Sequence, residues 1–143
     1  MLQNETPLAR FFHNFERLNA GDDIPAQVAQ FADMFIAANP QGAQCIRAED
    51  FARALPKRIQ LVQSLGGQST SLVSVSETKL DERFAMAETR WRMTFRREGA
   101  PAREALADSL YILDMGGETP KIVFYLAHQE FIAMLKSNGI LAC

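Results

Sequence analysis

The chain has 143 residues, 48% of them hydrophobic, and its formal net charge at pH 7 is −2. This length and apolar share are typical of one globular domain with its own core, so residues 1–143 are predicted to form a single domain. The basic residues are scattered among acidic ones, which argues against a nucleic-acid partner. Residues 1–15 hold no apolar run long enough for a signal peptide or membrane span, so we predict a cytoplasmic protein with no membrane partner.

The cysteines and histidines are too few and too far apart for a metal centre. Cys45 and Cys143 have neither the spacing of a metal site nor that of a disulfide framework. The histidines are His13 and His128, and no carboxylates cluster beside them. We therefore expect no metal and no cofactor.

The first half of the chain repeats its apolar residues with a helical period, which predicts three helices. Thr6 and Pro7 have the residue types of a helix cap and first turn, and the stripe that follows includes Phe11, Phe12 and Phe15. The predicted helices cover about 7–20, 25–39 and 48–66, and Pro56 is expected to kink or break the third. A short strand is predicted at 44–47.

The second half has the two-residue period of strands, so the fold class is predicted to be α+β. Residues 85–97 alternate cleanly, with Trp91 and Phe95 on an apolar face and Arg90 and Arg92 on the opposite face. Further strands are predicted at 70–79, 102–115 and 121–127, and a last helix at 129–138, where Gly139 is placed to end it.

Several short motifs resemble a known family. The run from Leu18 to Asp22, the Phe31-Ala32-Asp33 triplet and the Asn39-Pro40 pair have the spacing of ketosteroid isomerases and related polyketide-cyclase-like proteins. The resemblance continues more weakly through the Gly99 turn and Lys121-Ile122. It implies the cone of the nuclear transport factor 2-like (NTF2-like) superfamily, in which helices pack on a strongly curved antiparallel sheet around a pocket.

The same resemblance locates three catalytic positions of the isomerases. Their carboxylate base stands immediately before the proline, where this chain has Asn39. Their oxyanion-binding tyrosine matches Asn14, and their neutral carboxylic acid matches Ser109, or Asp108 if the register slips by one residue. An amide has no usable basicity, so the resemblance implies the fold without the isomerase reaction.

These positions and the aromatic residues of the predicted inner strand faces suggest a pocket for a small hydrophobic molecule. The predicted pocket residues are Asn14, Asn39, Trp91, Phe95, Ser109, Tyr111 and Tyr125. The alternative for Trp91 and Phe95 is simple core packing, and for Asn39 it is a hydrogen bond at a helix end.

Two other functions stay open at this point. The chain could be an enzyme of another type, a dehydratase, cyclase or hydrolase acting on a hydrophobic metabolite, with His128 or Asp108 as a weak catalytic candidate or Tyr125 as proton carrier. It could instead be a dimeric interaction module. Leu106, Leu110 and Ile112 lie on the outer sheet face beside the arginine row, and related folds commonly dimerise through that face, so we expect a homodimer.

Overall fold

The structure is a computed structural model that describes residues 6–141. Helices and a six-stranded sheet account for most of these residues. The helices are α1 (Pro7–Asn19), α2 (Ile24–Val28), α3 (Ala48–Ser64) and α4 (Phe131–Ser137), and the strands are β1 (Phe31–Asn39), β2 (Gly42–Arg47), β3 (Gly67–Lys79), β4 (Phe84–Phe95), β5 (Arg103–Asp114) and β6 (Lys121–Ala127). No helix in this part of the chain is long and apolar enough to cross a membrane.

Helix α1 forms as its sequence predicts. The Thr6 hydroxyl accepts a hydrogen bond from the Ala9 backbone N–H at 3.1 Å, and Pro7 occupies the first turn, where no N–H partner is needed. Its apolar stripe is buried, and Phe12 is fully inaccessible to solvent. The helix therefore lies with its aromatic face on the sheet.

The predicted second helix is wrong over most of its length. Helix α2 ends at Val28, and residues 31–39 form β1. The spacing of Val28, Phe31 and Phe35 fits a helix, but Phe31 and Phe35 also lie on one face of a strand. There they pack on Phe51 of α3, with ring centroids 4.7 and 5.5 Å from that of Phe51. Tertiary packing has overridden a local pattern that suits both structures.

The other predicted elements are confirmed within a few residues. Helix α3 continues through Pro56 to Ser64, and β2 extends the predicted short strand to Gly42. After α4, Gly139 adopts φ 72°, a left-handed conformation that ends the helix, and the Ile140 N–H then donates to the Leu135 carbonyl at 2.9 Å.

The sheet has the strand order β2-β1-β6-β5-β4-β3. Strands β3 to β6 form an antiparallel meander, and the β1–β2 hairpin is added beside β6. The pairing of β1 with β6 is parallel, so the sheet is mixed and not wholly antiparallel as predicted. Bulges interrupt β3 twice and the β5–β6 ladder once, and such bulges increase twist and bend a sheet. The predicted α+β cone with a curved sheet is otherwise confirmed.

The inner face of the sheet, which contacts the helices, carries two clusters of buried apolar side chains. One joins α1 to the middle of the sheet through Phe12, Trp91 and Leu113. The other joins the end of α3 and α4 to the sheet through Leu65, Phe95 and Leu135. Both lie on the same side of the sheet, so the opposite, outer face has no helix over it among the described residues.

The free edge of the sheet at β3 is held against α1 by a side chain. A carboxylate oxygen of Glu16 accepts a hydrogen bond from the Leu72 backbone N–H at 2.6 Å. This contact satisfies one of the N–H groups that an edge strand leaves without a strand partner.

Replacing Leu113 with alanine is expected to lower the free energy of unfolding by about 2–5 kcal/mol, because the side chain is fully buried between α1 and the sheet. Chemical denaturation measures this change. Leu80→Ala is the matched control, since Leu80 is 49% exposed and its truncation should cost about 0.5 kcal/mol or less. If both substitutions lowered the free energy of unfolding by the same amount, the assignment of Leu113 to the core would be wrong.

Candidate ligand-binding site

A cleft of about 480 Å³ opens on the inner side of the sheet, beside the ends of β1 and β6 and the middle of β5. We call it the cone cleft. Helices α3 and α4 supply its other wall through Arg58, Phe131 and Met134. The polar lining includes Asn39, Ser109 and Tyr125, and the apolar lining includes Met93 and Ala107. The cleft thus combines apolar surface with a few polar groups, as ligand sites commonly do.

Three of the predicted pocket residues meet in this cleft. Asn39 ends β1, and Ser109 and Tyr125 come from β5 and β6. The register explains the meeting, because Ala37 pairs with Tyr125 and Ser109 pairs with Ala127. Asn39 lies at the hairpin turn into β2, where its side-chain oxygen accepts a hydrogen bond from the Gln41 N–H at 2.8 Å.

The remaining predicted pocket residues lie elsewhere. Trp91 and Tyr111 belong to the core under α1, and Phe95 belongs to the core under α4. The Trp91 indole N–H donates to the Thr89 hydroxyl at 2.9 Å, which satisfies its polar group inside the core. The side-chain oxygen of Asn14 accepts a hydrogen bond from Arg17 one turn further along α1.

Tyr111 supports the cleft from below. Its ring stacks on that of Tyr125 with centroids 5.0 Å apart. The buried Tyr111 ring therefore fixes the position of the Tyr125 ring, which lines the cleft. Burial raises the pKa of Tyr111 well above its usual value of 10.0, and the neighbouring Tyr125 raises it further. The phenol therefore stays neutral at physiological pH and acts as a hydrogen-bonding group, not as a base.

No protein-family model and no curated protein sequence matches the chain. Solved structures do match. An NTF2-like protein with a cystatin-like fold from Novosphingobium aromaticivorans is similar with a TM-score of 0.72 at 11% identity, over 99% of this chain and 91% of that chain. The fold is NTF2-like.

Two further structural neighbours have different descriptions. An NTF-2 like protein of unknown function from Shewanella oneidensis has a TM-score of 0.66 at 13% identity, covering 86% of this chain and 97% of its own. The beta subunit of the benzoate 1,2-dioxygenase from Burkholderia mallei has a TM-score of 0.65 at 14% identity, covering 89% and 91%. Likeness at such identities establishes the fold alone, because one fold hosts many activities.

Asp108, in the middle of β5, and His128, directly after β6, lie where the cleft of this NTF2-like fold meets the outer sheet face. The Asp108 carboxylate accepts two hydrogen bonds from the Arg90 guanidinium, at 2.8 and 3.1 Å. This pairing lowers the pKa of Asp108, which makes the carboxylate a weaker base. His128 is exposed beside a shallow outer depression of about 310 Å³, and its backbone N–H donates to the Asp108 carbonyl at 3.1 Å.

Sequence reasoning missed the residues that α3 and α4 bring to the cleft, chiefly Arg58, Phe131 and Met134. A signal for Arg58 was present. It stands three residues after Leu55 and four before Val62, so it shares the helix face of the apolar stripe although it is charged. Within residues 6–141, no group of three or more His, Cys, Asp or Glu side chains is placed to hold a metal ion.

Removing Arg90 should raise the pKa of Asp108 towards its usual value of 3.8, because the guanidinium is the main cause of the lowering. Carboxyl carbon chemical shifts followed against pH measure this pKa in Arg90→Gln. Because the pKa of Asp108 is lower in the folded chain than in the unfolded chain, the ionised carboxylate stabilises the folded state at pH values above the unfolded pKa of about 4. This stabilisation is lost as the pH falls through the folded pKa. Arg90→Gln lacks it from the start, so its free energy of unfolding should fall less on acidification.

Arg92→Gln is the control for the same titration, since Arg92 lies on the same strand and its ion pair is with Glu104. The pKa of Asp108 should change little in this variant. A similar change in both variants would mean that general surface charge, and not the paired guanidinium, lowers the pKa.

Proposed function

We propose that this chain binds a small, partly apolar molecule in the cone cleft, without ketosteroid-isomerase chemistry. The main support is that Asn39, Ser109 and Tyr125 line one cleft of about 480 Å³ together with apolar side chains. This volume lies within the range of about 300–1,000 Å³ that is typical of ligand pockets.

The side chains in and below the cleft favour binding over acid/base catalysis. At the isomerase base position stands Asn39, an amide that takes no proton near neutral pH. Asp108 is held as a weak base by Arg90, and Tyr111 is held as a neutral phenol by burial. These groups suit hydrogen bonding to a ligand better than proton transfer, which supports a binding protein over a dehydratase, cyclase or hydrolase.

The proposal predicts that a neutral apolar probe binds in the cleft. On adding 2-naphthamide, we expect amide NMR shifts to change at Ser109, Ala127 and Met134, which surround the cleft. Ala127→Phe should weaken binding about tenfold or more, because the added ring occupies the space of the ligand. The titration yields the dissociation constant for each variant.

Ala102→Phe is the matched control, because Ala102 is exposed before β5 and is not part of the cleft wall. It should bind 2-naphthamide like the unmodified chain. Unchanged spectra in the unmodified chain, or equal binding by Ala127→Phe, would contradict the proposed site.

We also propose that the chain forms a homodimer through the outer sheet face. Strand pairing aligns Ile36, Phe124, Ile112 and Met86 in one row across four strands of that face. Ile36 is 43% exposed, and Leu106 on the same face is 47% exposed. Exposed apolar area of this kind usually marks an interaction surface.

Charge beside this row supports a second copy of the chain as the partner. The ion pair between Arg90 and Asp108 and the one between Arg92 and Glu104 lie further along β4 and β5 on the same face, so both signs of charge are available there. A two-fold interface needs a surface that is complementary to itself, and mixed charge around an apolar centre meets this requirement.

Ile36→Glu should convert the dimer into a monomer, because a carboxylate in the apolar row would be buried at the interface without a partner. Light scattering after size exclusion measures the mass, and circular dichroism checks the fold. Leu80→Glu, at an exposed position after β3, should remain dimeric. An unmodified chain with the mass of one copy would overturn this proposal.

A further inference from the structure

Arg58 brings a positive charge to the wall of the cone cleft. It projects from α3, and its guanidinium carbon lies 4.2 Å from the centroid of the Phe131 ring at the start of α4. A guanidinium over an aromatic face is held by cation–π attraction and keeps its N–H edges available for hydrogen bonding. The Phe131 ring thus orients the cation at the cleft.

The two carboxylates of the cleft already have partners. The Asp108 carboxylate lies on the outer sheet face, where it accepts hydrogen bonds from Arg90 on the neighbouring strand. Glu130 caps α4, and its oxygens accept hydrogen bonds from the Ile132 and Ala133 N–H groups at 2.6 and 3.2 Å. Within residues 6–141 no ion pair joins Arg58 to a carboxylate.

The cleft beyond Arg58 suits an apolar body. Met93 and Met134 contribute flexible, polarizable surface, and Tyr125 presents a ring that is stacked on Tyr111. The hydroxyls of Ser109 and Tyr125 and the amide of Asn39 supply uncharged hydrogen-bonding groups on the sheet side.

We infer that the ligand of the cone cleft is an apolar molecule with one carboxylate, which the Arg58 guanidinium binds. The inference rests on the proposed function and names its ligand class. Two parallel N–H···O bonds fit a carboxylate to a guanidinium. A doubly charged phosphate ester suits the cleft less well, because among the described residues Arg58 is the one cation in the cleft wall and the Glu130 carboxylate in the same wall repels the second negative charge.

Two probes with the same ring and nearly the same size, one anionic and one neutral, test this inference. The unmodified chain should bind 2-naphthoate about tenfold more tightly than neutral 2-naphthamide, because the carboxylate gains charge-assisted hydrogen bonds. Isothermal titration gives both dissociation constants. The preference should shrink as salt is added, since Arg58 is solvent-exposed and its charge is screened.

Arg58→Gln should abolish the preference for 2-naphthoate while 2-naphthamide still binds. Lys57→Gln is the matched control, because it removes the same charge from the neighbouring position of α3 outside the cleft wall, and it should keep the preference. Circular dichroism of both variants checks that the fold is retained.

The outcomes separate the two proposals. If 2-naphthamide binds and 2-naphthoate binds no more tightly, the cleft binds ligands but the carboxylate inference is wrong. If 2-naphthyl phosphate binds more tightly than 2-naphthoate, the ligand class is wrong. If none of the probes binds, the proposed function fails and this inference fails with it.

Discussion

The parallel ladder between β1 and β6 joins the N-terminal hairpin to the C-terminal meander. Its register sets Ala37 beside Tyr125, so the end of β1 lies beside the end of β6, which in turn pairs with the middle of β5. Helix α3 follows the hairpin directly, and Phe51 at its start packs on the rings of β1. This ladder therefore positions both the turn at Asn39 and the α3 wall of the cleft relative to the meander.

The two faces of the curved sheet have separate physical roles. The inner face is filled by aromatic side chains under α1, and the cone cleft opens where α3 and α4 form the opposite wall. The outer face carries no helix among residues 6–141 and mixes apolar residues with cross-strand ion pairs such as that of Arg90 and Asp108. The proposed binding site and the proposed assembly surface therefore lie on opposite faces of the sheet.

The sequence predicted those features that local patterns determine. The alternation around Trp91 identified β4, because a half-buried strand must repeat every two residues. It could not identify β1, since Phe31 and Phe35 satisfy both periods and only pairing with distant β6 decides between them. The resemblance to isomerases led to Asn39 and Ser109, and strand alternation led to Tyr125. The sequence places Arg58 on the apolar face of its helix, but its position in the cleft depends on how α3 and α4 pack together.

The hydrogen bond from Leu72 to Glu16 has a consequence for behaviour at high concentration. Strand β3 is the long outer edge of the sheet, and such an edge can recruit strands from other molecules into fibrillar aggregates. A carboxylate covering one edge N–H, together with two bulges that bend the strand, makes this edge a poor template. Helix α1 therefore protects the chain from templated self-association as well as completing its core.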